Sequence, residues 1–122
     1  MKTAKFFKDE EFKRCSPPCS IEDMQQSTLD MLDKLRELAG IPIVLNSAYR
    51  SPEHDKARGR SGTGAHTTGH AVDIRCNTGT TRYKVLRAAF AAGFKRIGVE
   101  GSFIHVDNSD NPAHVQNTTW IY

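Results

Sequence analysis

Residues 65–74 read AHTTGHAVDI, and residues 103–107 read FIHVD. Successive side chains of a β-strand point to opposite faces, so the apolar residues of both segments are predicted to face the core. Asp73 then lies on the opposite face of its strand, and His105 and Asp107 share that face in the second segment. The two segments therefore predict short strands, each with an apolar face and a face that carries metal-ligating side chains.

Three of these side chains can hold a catalytic zinc ion: His66, Asp73 and His105. Neutral imidazole nitrogens and a carboxylate oxygen are suitable zinc ligands. A set of three protein ligands leaves a fourth position for a reactive water, which is typical of catalytic rather than structural zinc sites. The sequence therefore predicts one zinc ion per chain, with Asp107 as a second carboxylate beside the last ligand.

Four ordered blocks of the sequence resemble the family of zinc D-alanyl-D-alanine carboxypeptidases and peptidoglycan peptidases, which includes bacteriophage lysins and bacterial cell-wall peptidases. The blocks cover residues 6–12, 46–54, 66–73 and 97–107, and the ending 119–122 is similar to that of small phage-borne members. Several blocks at compatible separations are more specific than one short motif. The resemblance implies a hedgehog-type zinc peptidase fold, with zinc ligands at His66, Asp73 and His105 and a substrate-binding arginine at Arg50.

The chain departs from the family's pattern at two positions. Ser102 stands where many relatives have an acidic residue three positions before the last histidine. Gly64 stands where many relatives have a substrate-binding serine two positions before the first histidine. The corresponding hydrogen bond to substrate is then either absent or made by Ser61 or Thr63.

The general base is open between two acidic residues near the last ligand, Glu100 at a predicted hairpin tip and Asp107 on the face of His105. A base must come within about 3 Å of the attacking water. Each carboxylate also has a structural interpretation, Glu100 as a solvated turn residue and Asp107 as the partner that fixes the tautomer of His105. We expect Glu100 to act as the base and Asp107 to support His105.

Arg50 is predicted to contact substrate and stabilise the transition state, because a guanidinium beside a zinc cleft can bind a carboxylate or a polarised carbonyl. Its alternative is a solvated surface charge. The other histidines are interpreted as ordinary surface or core residues: His54, His70 and His114, the last in a polar tail.

The hydrophobic pattern predicts an α+β domain with a small, largely antiparallel sheet flanked by helices on one side. Ser20 and Asp23 resemble a capping box and predict a helix of about twenty residues, which Gly40 is placed to end. The further predicted elements are a strand over 41–45, a short helix over 51–57, a loop over 58–65, a helix over 81–92 ended by Gly93, hairpin strands over 95–99 and 102–107, a loop over 108–112, and an end that packs back through Trp120, Ile121 and Tyr122.

Length and composition describe one ordinary soluble domain. A chain of 122 residues has room for one hydrophobic core and not for two, which predicts a single domain over 1–122. The formal net charge of +3 suits an anionic cell wall as well as nucleic acid. The N-terminal residues lack the apolar region of a signal peptide, and no apolar stretch approaches membrane-spanning length. We therefore expect a chain made in the cytoplasm without a signal peptide.

The three cysteines, Cys15, Cys19 and Cys76, are too few and oddly numbered for a fully paired disulfide framework. Cys15 and Cys19 could close a tight disulfide, or all three could contribute to a second metal site. Because the two-residue spacing usual in metal sites is missing, reduced and partly buried thiols are the expected state.

The resemblance implies zinc-dependent hydrolysis of peptide bonds in peptidoglycan stem peptides, of the D-Ala-D-Ala carboxypeptidase or endopeptidase type. Such a protein would be a monomeric phage-type lysin or cell-wall-remodelling enzyme that reaches the wall after phage-mediated release or as part of a virion, without nucleic-acid or membrane partners. One alternative is an inactive zinc-bearing module that binds peptidoglycan, which Ser102 favours. A small nucleic-acid-binding domain is disfavoured because basic and aromatic residues are not interleaved on one face.

Overall fold

The computed structural model describes residues 1–13, 19–57, 59 and 64–122. The predicted substrate-binding residues Ser61 and Thr63 lie outside the described residues, as do Cys15 and most of the predicted loop over 58–65. The side chain of His54 also lies outside the described part.

One five-stranded sheet forms the centre of the described fold, with the strand order β1-β2-β4-β3-β5. The strands are β1 (Leu45–Ser47), β2 (Ala71–Arg75), β3 (Arg96–Val99), β4 (Phe103–Asp107) and β5 (Thr118–Ile121). Neighbouring strands are antiparallel except for β3 and β5, which are parallel. The predicted α+β architecture with a largely antiparallel sheet is confirmed, and so is the hairpin of β3 and β4.

Three α-helices accompany the sheet in the described residues: α1 (Gln26–Ala39), α2 (Pro52–Ala57) and α3 (Gly79–Ala92). Helices α1 and α3 pack against each other, and α3 contacts β4. None of the described helices combines the length and the apolar character needed to cross a membrane.

The core lies between the helices and one face of the sheet, as strand alternation predicted. Val72 and Ile74 of β2 and Ile104 and Val106 of β4 are fully buried in the same cluster as the apolar residues of α1 and α3. Each of these residues removes apolar surface from water, which typically contributes about 1.5–3 kcal/mol per side chain. The residues that alternate with them along β2 and β4 therefore lie on the opposite face of the sheet.

The prediction of one long helix from Ser20 to Gly40 is wrong at the N-terminal end. Ser20 and Asp23 do form a capping box, but it caps a 3-10 turn over Ile21–Asp23, after which Met24 is extended with a ψ of 152°. The break has a tertiary cause, because the amide of Gln25 donates to the carbonyl of Gly69 at 2.9 Å and cannot continue the turn. Helix α1 therefore begins at Gln26; its end at left-handed Gly40 is as predicted.

The predicted strand over 41–45 is also shorter than expected. Strand β1 begins only at Leu45, although the carbonyl of Val44 already accepts a hydrogen bond from the amide of Arg75 at 2.9 Å. Pro42 has no N–H to give to a neighbouring strand, so the residues before Val44 make no regular ladder. The C-terminal strand β5 was not predicted.

The cysteines differ from one another. Cys19 is disulfide-bonded, so the expectation of reduced thiols is wrong for this residue. Cys76 is a free cysteine with no exposed surface, and burial raises the pKa of its thiol to about 11. A group so placed contributes to the core as a small hydrophobic residue.

Gly69 allows the loop before β2 to lie directly against the segment before α1. Its φ is +78°, and a Cβ atom there would lie 2.3 Å from the carbonyl oxygen of Asp23. We predict that Gly69→Ala lowers the free energy of unfolding by about 1–3 kcal/mol, since both the backbone conformation and the contact are lost. Urea denaturation of the metal-free protein measures the change.

Gly79→Ala is the matched control, because a Cβ at Gly79 would meet nothing within 4 Å and the residue begins a helix. Equal free energies of unfolding for the two variants would contradict the proposed contact.

Candidate metal centre

The register of β2 and β4 brings two of the predicted ligands together. Asp73 is the direct partner of His105 across this antiparallel pair. His66 comes from the 3-10 turn Ala65–Thr68, which ends at left-handed Gly69 and leads straight into β2. The third side chain therefore reaches the same face of the sheet from the loop that precedes it.

The three side chains converge on one point. Asp73 Oδ1 lies 3.1 Å from His105 Nδ1 and 3.3 Å from His66 Nε2. One ligand atom of each residue lies within 4.8 Å of the others, and both histidines are buried. Two imidazole nitrogens and a carboxylate oxygen at such separations form a possible site for a metal ion of the zinc type.

Hydrogen bonds on the outer side of each ring fix the tautomers. His66 Nδ1 lies 2.6 Å from the carbonyl oxygen of Ala48, and His105 Nε2 lies 2.6 Å from Asp107 Oδ2. Both partners are acceptors, so these two nitrogens donate, and in the neutral rings the lone pairs of His66 Nε2 and His105 Nδ1 face Asp73. Metal-ligating histidines are typically held in this way by a carbonyl or a carboxylate.

The electrostatics of the cluster keep its carboxylates ionised. Burial by itself would raise the pKa of Asp73, but when the two rings are protonated the hydrogen bonds and the positive charge of His105 and His66 outweigh burial and lower that pKa. The pKa of Asp107 is lowered by His105 in the same manner, against the effect of burial. A metal ligand must be deprotonated to bind, so Asp73 is in the form that a cation requires.

Asp107 lies where a supporting role for His105 requires it. It is fully buried, and its Oδ1 accepts from Arg96 Nε at 2.8 Å and from the amide of Ser109 at 3.1 Å. Its Oδ2 accepts from His105. Both oxygens are thus engaged in fixing the last ligand in place.

The structure does not bring Glu100 to the cluster. Its carboxylate accepts hydrogen bonds from the hydroxyl of Ser102 at 2.6 Å and from the amide of Ser102 at 3.2 Å. These bonds lower the pKa of Glu100, which weakens it as a proton acceptor. Glu100 closes the turn between β3 and β4 and is not among the described residues that line the cleft.

A cleft of about 430 Å³ opens at the three candidate ligands. Arg50 lines it but is not the solvated charge of the alternative interpretation. It is buried, and its guanidinium donates to Asp55 Oδ1 at 3.1 Å and to Ser47 Oγ at 3.0 Å. These contacts fix the guanidinium beside the metal centre.

The sequence patterns did not predict that several further side chains line the cleft: Asp55, Arg96, His114, Trp120 and Tyr122. The ring of Trp120 packs on that of His105 with 5.2 Å between centroids, and the guanidinium of Arg96 lies 5.2 Å from the centroid of Trp120. Trp120 comes so close to β3 that a Cβ at Gly98 would lie 2.4 Å from its Nε1. The β-branched and aromatic run over 118–121 is a signal that could have predicted β5.

The sequence model of the family described as Peptidase M15 matches residues 5–107 of the chain. The matched range contains the three candidate ligands, Arg50 and Asp107, whereas His114 and Trp120 lie beyond it. No match was found among curated proteins.

We predict that the folded protein binds one zinc ion and that His66→Ala and His105→Ala each abolish tight binding, since two ligands hold zinc poorly. Elemental analysis after dialysis measures the occupancy. His70→Ala is the matched control, because its ring contacts Thr68 and Asp110 and is not part of the three-residue group. Full occupancy in either ligand variant would refute the assignment.

Proposed function

The chain belongs to the peptidase M15 family, and on that premise we propose that it is a zinc peptidase that hydrolyses peptide bonds in peptidoglycan stem peptides. The observation that carries the proposal is the convergence of His66, Asp73 and His105 in one cleft, with both rings in the tautomer that presents a lone pair. We assign the bond cleaved to the D-Ala-D-Ala carboxypeptidase or endopeptidase type.

In this proposal His66, Asp73 and His105 hold the zinc ion. When bound, zinc would lower the pKa of water to about 7 and polarise the scissile carbonyl. The protein's own contribution is geometric. The carbonyl of Ala48 and the carboxylate of Asp107 keep the two rings in place, and Trp120 shields one of them from water.

Arg50 is proposed to bind the substrate. A guanidinium carries five N–H donors, more than the contacts to Asp55 and Ser47 use. These contacts also orient its plane before substrate arrives, which lowers the entropic cost of forming a charge-assisted pair. Ser61 or Thr63 would supply the substrate hydrogen bond that a serine at Gly64 provides in many relatives.

We further propose that the protein acts as a monomer on the cell wall, as a phage-type lysin or a cell-wall-remodelling enzyme. It would reach the wall after phage-mediated release or as part of a virion. The formal net charge of +3 supports this setting, because a mildly basic protein is attracted to an anionic wall.

A second candidate function is a zinc-bearing module that binds peptidoglycan without cleaving it. Ser102 in place of an acidic residue, and the position of Glu100 outside the described cleft, favour this candidate. It predicts retention on purified cell walls without release of any product.

Mass spectrometry of purified muropeptides after incubation with the zinc-loaded protein distinguishes the two. We expect a mass loss of one D-alanine, or two fragments of the stem, and no change with His66→Ala. A zinc-replete protein that leaves every muropeptide intact yet binds cell walls would establish the second candidate instead.

Arg50→Lys is predicted to reduce turnover roughly ten- to hundredfold, which corresponds to the about 1.5–3 kcal/mol of one charge-assisted hydrogen bond. Lysine keeps a positive charge beside buried Asp55 but loses the planar fork. Zinc occupancy should not change, because Arg50 is not a ligand. Arg75→Lys, at an exposed position of β2, is the matched control. Unchanged kinetics with a defined stem peptide would remove Arg50 from the substrate site.

A further inference from the structure

Every carboxylate among the described residues of the cleft already makes an ion pair or a hydrogen bond within the protein. Asp55 pairs with Arg50, Asp73 lies between the two histidines, and Asp107 is bound by three donors. Peptide hydrolysis nevertheless requires a group that takes a proton from water and gives one to the leaving amine. Among the described residues of the cleft, His114 is the histidine that is not a candidate metal ligand.

His114 lies on the segment between β4 and β5, and its ring is held in a defined position. Its Nδ1 lies 2.6 Å from the hydroxyl oxygen of buried Ser109, and its amide donates to the carbonyl of Asn111 at 2.9 Å. When Nδ1 donates to Ser109, the other ring nitrogen carries the lone pair. The imidazole is half-buried at the wall of the cleft, where water and substrate can reach it.

Two contacts tie this segment to the metal centre. The amide of Ser109 donates to Asp107, the carboxylate that supports His105. Arg96 donates to Asp107 through Nε and to the carbonyl of Val115 through an outer nitrogen at 2.6 Å. One residue on each side of His114 is therefore linked to buried Asp107, Ser109 directly and Val115 through Arg96.

We propose that His114 is the proton-transfer residue of this peptidase, an inference that rests on the proposed function. The water oxygen bonds to the carbonyl carbon as its proton passes to Nε2 of His114. When the carbon–nitrogen bond breaks, its electron pair leaves with the amine, and the imidazolium returns the proton to that nitrogen. One water is added across the peptide bond, and no other reactant is needed.

His114→Asn tests the assignment, because the asparagine amide can keep the hydrogen bond to Ser109 while it cannot carry the proton. We expect kcat to fall by a factor of about 10²–10⁴, with zinc affinity and KM nearly unchanged. His70→Asn is the matched control, a histidine bonded to Thr68 that does not line the described cleft.

His114→Ala provides a second test that a merely structural role would not pass. Added imidazole should restore part of its turnover, while it should not increase turnover of the wild type or of His105→Ala. A third readout is independent of turnover: the ring resonances of His114 should shift when a phosphinate dipeptide is added to the zinc-loaded protein.

The outcomes separate the two proposals. Wild-type kcat in His114→Asn, no rescue by imidazole, or ring resonances that do not move would each overturn the role of His114 while the peptidase activity stands. If the zinc-loaded wild type cleaves no muropeptide, the proposed function fails, and the role of His114 fails with it.

Discussion

The pairing of Asp73 with His105 across β2 and β4 is the constraint on which the rest of the site depends. Side chains alternate along both strands, so a slip of one residue would bury Asp73 in the core and expose Val72 to the cleft. The fully buried apolar residues on the other face prevent that slip. The same packing that stabilises the fold therefore sets the separation of Asp73 and His105 across the two strands.

Backbone contacts position the parts of the site that the sheet does not reach. The loop that carries His66 is fixed because Gly69 lies against the segment before α1, and the ring itself is held by the carbonyl of Ala48. The ring of His105 is fixed through Asp107, which also binds Arg96 and the amide of Ser109 after β4. Ligands held by main-chain atoms and buried charges lose little freedom when a cation or substrate binds.

The features that depend on local pattern could be predicted from the sequence, and those that depend on distant contacts could not. Strand alternation correctly placed the core and polar faces, because it is a property of each strand alone. The capping box at Ser20 misled the prediction of the long helix, since the bond from Gln25 to Gly69 joins residues far apart in the chain. The bond from Arg96 to the carbonyl of Val115, the neighbour of His114, joins residues far apart in the chain, and no short motif predicts it.

The reactivity of the buried Cys76 thiol is a probe of local opening in the native protein. It follows β2 directly, has no exposed surface, and its amide bonds to the carbonyl of Ser102 at the hairpin of β3 and β4. Alkylation requires both exposure and ionisation, so a reagent reaches this sulfur only when the core around it opens locally. Its rate of modification in the native protein therefore reports how often the core next to β2 opens, a quantity distinct from the overall stability of the chain.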